Sequence, residues 1–150
     1  MRLLAIDPGA ISGALAMFPE DGPPYVWDIP VVDGQIDAAA LHRRVKEFEP
    51  NAAVVEWVAS MPKQGVASTF KFGVAFGIIQ GVLAANEVPV HLVKPAVWKK
   101  AFHLAGKDKE AARALAIRLY PGVQGLDRKK DAGRAEALLL GRHYWQEHIR

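Results

Sequence analysis

Apolar residues in this chain gather in short runs that end on an acid or a proline, alternating with longer stretches of helical spacing. Leu3-Leu4-Ala5-Ile6 runs into Asp7, and Pro8-Gly9 then stops the strand and turns the chain. Ser12 to Phe18 reads as a second strand, and Glu20-Asp21-Gly22-Pro23-Pro24 as a turn. Tyr25 to Pro30 is a third strand, placed at an edge because a proline closes it. With Asp37 as N-cap, Ala38 to Phe48 carries Leu41, Val45 and Phe48 on one helical face. Ala52-Ala53-Val54-Val55-Glu56 repeats the first design, a buried run with a carboxylate at its tip. Ser60 to Gly65 is a loop and Ser68 to Asn86 a long helix with Gly73, Gly77 and Gly81 four residues apart. Such glycines lower helix propensity and mark close packing, here on the sheet or on another subunit. Pro89 to Val93 is the next strand. A short helix opens at Pro95, another runs from Lys107 to Leu119, and the last from about Asp131 to His148.

This order predicts an α/β fold, a mixed five-stranded sheet flanked by helices, in which an antiparallel meander of three strands is followed by two crossover strands. If the first and fourth strands are neighbours, Asp7 and Glu56 meet at one sheet edge, the end at which sites gather in such folds. An ionised carboxylate at the end of a buried run needs a hydrogen-bond donor, a cation or a metal; a turn-capping Asp is the plainer account of Asp7 alone.

The chain of 150 residues is expected to be one domain, with 51% hydrophobic and 23% charged residues. No apolar run is read as approaching the roughly 20 residues of a membrane span. A strand at the very start, with no leader read before it, is the expectation for a cytoplasmic protein. The absence of cysteine excludes disulfides, thiolate metal sites and a cysteine nucleophile. A net charge of +3 permits a polyanionic partner, and its placement says more. Lys94, Lys99 and Lys100 flank Trp98, Lys107 and Lys109 follow, and Arg128, Lys129, Lys130 and Arg134 surround the start of the last helix. These are phosphate contacts or a solvated helix face. Trp98 itself reads as a core residue. The five histidines have no metal-ligand spacing, and His143 and His148 read as surface residues.

Ala5-Ile6-Asp7-Pro8-Gly9 resembles the opening strand of the RuvC-type Holliday junction resolvases, which have the ribonuclease H-like fold. The similarity continues through Val54-Val55-Glu56, Gln64 to Gly73, Gly77 to Val82, Pro95 to Lys100 and Lys130 to Leu138, nearly the whole chain in order. The Trp98-Lys99-Lys100 and Gly133-Arg134-Ala135-Glu136 segments are more similar to the phage and prophage branch. The resemblance implies a metal-dependent endonuclease acting on four-way or other branched DNA, working as a symmetric homodimer with no membrane association. It implies Asp7, Glu56, Asp131 and Glu136 as ligands of Mg²⁺ or Mn²⁺, and Lys94, Lys99, Lys100, Lys107, Lys109, Lys130 and Arg134 as DNA contacts. Phosphodiester hydrolysis suits such equipment: two divalent ions about 3.5–4 Å apart neutralise the phosphate and activate water, and Mg²⁺ takes oxygen ligands.

Two departures from the family pattern matter. Bacterial members carry two acids three residues apart in the last helix; here Glu136 matches the second and Gly133 stands at the first. Asp131 lies five residues before Glu136, about 140° around an ideal helix, and shares its site only from the N-cap or before. Asp127 is a further candidate, against a solvated turn acid. The aromatic that wedges into the junction in bacterial relatives is absent or moved, because Val58-Ala59-Ser60 follows Trp57. Met61, Phe70 and Phe72 are the candidates to replace it, with core packing the alternative for the phenylalanines. Other readings are a nuclease of RNA, forks or flaps, a junction-binding protein that does not cut, and an actin-like sugar-kinase relative, for which the chain is too short.

Overall fold

The structure is a computed structural model that describes residues 1–9, 11, 13–57 and 65–149. Strands β1 (Leu3–Asp7), β2 (Ala14–Phe18) and β3 (Tyr25–Asp28) form the meander. A hairpin, β4 (Val31–Val32) and β5 (Gln35–Ile36), leads to α1 (Ala38–Phe48) and β6 (Ala52–Glu56). Helix α2 (Val66–Ala85), β7 (Val90–Val93), α3 (Pro95–Ala101), α4 (Lys109–Leu119) and α5 (Ala132–His148) complete the chain, with a 3₁₀ turn at Lys129–Asp131.

The main sheet has the order β3-β2-β1-β6-β7. The first three strands are antiparallel, and β6 and β7 run parallel to β1, as the sequence predicts. Alternation along each strand divides the core into two. Leu3, Ala5, Ala52 and Val54 pack with Trp98 and the apolar side of α5. Leu4, Ile6, Ala53 and Val55 pack with Leu41 and Val45 of α1 and Ala75, Ile79 and Leu83 of α2. Each fully buried Leu or Ile contributes roughly 1.5–3 kcal/mol to holding these layers. Helix α1 starts where its cap predicts, with Asp37 accepting a hydrogen bond from the Ala40 N–H at 3.0 Å.

Several boundaries differ from the sequence reading. The third strand stops at Asp28 instead of Pro30, and the β4–β5 hairpin follows, turning at Asp33 and Gly34, both with positive φ (50° and 74°). An Asp-Gly pair between short apolar runs is a hairpin signal in its own right. Helix α4 begins at Lys109, because Asp108 caps it by accepting from the Ala111 N–H at 3.0 Å.

Helix α2 brings two corrections. It is 20 residues long and apolar enough to cross a membrane by length and composition, contrary to the sequence expectation. Lys71 near its start and the interspersed glycines interrupt the apolar run, yet the mean hydropathy stays at 1.5. Nor do Gly73, Gly77 and Gly81 mark packing among the described residues: a Cβ built on any of them meets no described atom within 4 Å. The close approach falls instead at Gly141 of α5, where a Cβ would run into the Phe18 ring and lie 3.0 Å from the Ala5 Cβ.

Candidate active site

Parity along the strands decides where the acids point. Ala5 and Val54 are register partners on the α5 side of the sheet, so Asp7 and Glu56, two residues beyond each, point to that same side. Helix α5 crosses there and presents Glu136. Carboxylate oxygens of Asp7, Glu56 and Glu136 lie within 4.8 Å of one another. Glu56 and Glu136 are buried and Asp7 is partly so.

Three acids so close cannot all carry charge at no cost. Burial pushes the Asp7 carboxyl well above the usual range, the charges of Glu56 and Glu136 push it further, and a hydrogen bond with Glu136 adds to this; only the Lys109 ammonium opposes. Burial also raises Glu56, against the hydrogen bond from Trp98 and the charges of Lys99 and Lys109. The cluster is short of positive charge, and its donors are all carboxylate oxygens. That is the donor set that Mg²⁺ or Mn²⁺ prefers.

Asp131 stands apart from this group. It is buried (2% exposed) below the start of α5, where its carboxylate accepts from the Arg128 backbone N–H at 2.9 Å and from the Arg128 guanidinium at 2.8 and 3.2 Å. The Arg134 guanidinium is 3.6 Å away. Spacing explains the outcome: Arg128, three residues earlier, closes a local ring around the acid before the helix turns toward Glu136. These bonds hold its carboxyl below the ordinary range. Asp131→Ala is therefore expected to cost about 1.5 kcal/mol of stability at neutral pH, the low end for a charged hydrogen bond because Arg128 is half exposed. A lowered folded pKa gives stability that is present above the unfolded value and lost as pH falls through the folded one. Urea unfolding should thus separate variant from wild type at neutral pH and bring them together in the acid limit. Asp127 is exposed and lies outside the three-acid group.

Of the predicted DNA contacts, Lys94, Lys100, Lys107, Lys109 and Lys130 are exposed and Lys99 is half-buried. Lys109, Lys130, Arg128 and Lys129 line a cleft of about 440 Å³ together with Asp28 and Asp131, and Lys109 is the one of these cations whose charge bears on Asp7 and Glu56. Arg134 borders the same cleft, but its guanidinium is committed to Asp28 at 2.8 and 3.0 Å and to the Gly125 carbonyl at 3.1 Å, tying α5 to β3. Lys94 lies 5.5 Å from the ring centre of Trp57, the exposed residue after Glu56. Phe72 is half-buried and stacks on Phe76, which packs on the core, whereas Phe70 is 71% exposed, against the core packing considered for it. Met61 lies outside the described residues. His143 is half-buried against Phe102, and His148 is exposed beside Tyr144.

Trp98 is in the core, as read, at 0% exposure. Its indole N–H donates to Glu56 Oε2 at 2.7 Å, a bond that sequence reasoning missed. The available signal was a tryptophan in the first turns after a strand that follows the Glu56 strand, since a buried indole N–H needs an acceptor.

No protein-family model and no curated protein sequence matches the chain. Among solved structures, the chain is similar to Thermus thermophilus RuvC at a TM-score of 0.69 and 20% identity, covering 98% of this chain and 96% of that one. T. thermophilus RuvC in complex with a Holliday junction substrate gives 0.68 and 20% identity over 99% and 97%. Sheet order, strand direction and a correspondence that spans both chains give this protein the ribonuclease H-like fold of RuvC.

Proposed function

We infer that this protein is a metal-dependent endonuclease that resolves four-way DNA junctions by phosphodiester hydrolysis near the crossover. The observation that carries this reading is the meeting of Asp7, Glu56 and Glu136, from two parallel strands and a crossing helix, on a RuvC-like fold. Asp7, Glu56 and Glu136 would hold Mg²⁺ or Mn²⁺, which would supply charge neutralisation at the scissile phosphate and an activated water. Burial and the charges of Glu56 and Glu136 raise the Asp7 carboxyl, a penalty that a bound cation would relieve. Lys109 acts on both Asp7 and Glu56 and faces the incoming phosphate. Lys129 and Lys130 hold the strand that leads to it. Phe70, 71% exposed, is an aromatic available to stack on opened bases.

A two-fold symmetric substrate that needs two cuts calls for a symmetric dimer. The outward face of α2, with its glycines at four-residue spacing, is the surface for the second copy. Gly77→Leu has room within the chain, so it should fold and dissociate. Sedimentation that finds the variant still dimeric would remove α2 from the interface.

The activity itself is tested with an end-labelled immobile four-way junction beside matched fork and linear duplex, in Mg²⁺, Mn²⁺ or EDTA. Symmetric, metal-dependent nicks at the junction are expected. Binding without cutting in any metal would make this a junction-binding protein, and equal cutting of fork and linear DNA would remove the junction as its particular substrate.

A further inference from the structure

We propose that Trp98 is a positioning residue for the metal centre: its indole N–H fixes the Glu56 carboxylate in the orientation in which that carboxylate receives the cation. This rests on the reading of Asp7, Glu56 and Glu136 as metal ligands. The sheet places the pair. Glu56 is register partner to Val93 at the end of β7, and the Trp57 N–H donates to the Val93 carbonyl at 2.9 Å. Lys94 and Pro95 then turn the chain directly into α3, whose Trp98 comes back beneath the sheet edge among Val54, Leu104 and Leu138. The ring is fully enclosed, so the indole cannot swing away.

The chemistry of the donor narrows its role. An indole N–H donates and never accepts, and it neither titrates nor binds a metal. Its 2.7 Å bond occupies one lone pair of Oε2 and leaves the rest of the carboxylate for a cation. Lys99 is the only nearby cation on the same helix that also bears on Glu56, and its Nζ lies 5.5 Å from the Trp98 ring centre, on the same construction. A ligand carboxylate left without its outer hydrogen bond loses orientation, which commonly costs 10–100-fold in metal affinity. A tryptophan that served packing alone would change stability and leave metal affinity where it was.

Mn²⁺ binding measured by electron paramagnetic resonance, without DNA, separates these roles. Trp98→Phe keeps most of the ring and removes the donor; about a tenfold or greater loss of affinity is expected. In a Glu56→Gln background the same change should have no further effect, since it acts through Glu56. Wild-type affinity in Trp98→Phe, with Glu56→Gln weakened, overturns the positioning role alone. Equal binding by wild type and Glu56→Gln overturns the metal centre and this role with it. Should Trp98→Phe not fold, the indole N–H resonance of Trp98 in the wild-type protein gives the answer: it should shift saturably as Mg²⁺ is added, and a stationary resonance overturns the proposal.

Discussion

Replacing Asp7 by Asn should abolish junction cleavage and at the same time raise the melting temperature of the metal-free protein. The rate loss follows from removing a group whose charge is aimed at the reacting centre, an effect of at least about 10²–10³-fold in comparable sites. The gain in stability has a separate origin. Burial and the charges of Glu56 and Glu136 raise the folded pKa of Asp7, so the folded state holds a proton more tightly than the unfolded chain. Stability therefore falls as pH rises from the unfolded value, near 3.8, through the folded one, and stays low above it. Asn carries no charge and escapes that penalty. Each kcal/mol of repulsion relieved should add about 2–4 °C in a chain of this size. Mg²⁺ should reverse the order, stabilising the wild type by binding its folded state and the variant much less. Thermal melts in EDTA and in Mg²⁺, read beside cleavage, test both halves. A variant destabilised in EDTA would mean that Asp7 is a structural cap.

Gly141→Val should be the most damaging single change to the fold. A Cβ at this position enters the Phe18 ring and crowds Ala5, where α5 lies against β2 and β1. The Phe18 ring stacks on Trp145 at 6.2 Å, so it has little freedom to retreat. Overpacking of this kind costs about 3 kcal/mol or more, an expected fall of roughly 6–12 °C in melting temperature. Glu136 rides on the same helix, so activity should fail with the fold. Gly122→Ala is the control, because nothing described lies within 4 Å of a Cβ built there and its φ is not positive; it should be neutral or stabilising by about 0.4–1 kcal/mol. Similar melting temperatures for the two variants would contradict the packing of α5 described here.

What the sequence could disclose depended on how local each determinant is. Asp7 and Glu56 were legible because each ends an apolar run, and strand parity then sends both side chains to one face. Glu136 was legible through its segment. Asp131 was not: helix geometry allows it near the site only from the cap, and whether Arg128 captures it is decided by a local ring of hydrogen bonds. The Trp98–Glu56 bond depends on the β6–β7 register and the turn at Pro95, neither of which a buried indole announces. Arg134 and Lys109 look alike as basic residues, yet Asp28 engages the first while the second faces the acids. In α2 apolar residues surround the helix on all sides, so periodicity could not say which face the sheet covers and which it leaves open. The Asp33-Gly34 pair is a hairpin signal, but the strands on either side of it are two residues each, too short for alternation to show.

If Asp7, Glu56 and Glu136, without Asp131, hold the metal, anomalous scattering from Mn²⁺ in crystals of the wild-type protein should show density on those three carboxylates, with Asp131 still held by Arg128. Density on Asp131, or no ordered ion among the three acids at Mn²⁺ concentrations that support cleavage, would contradict that assignment.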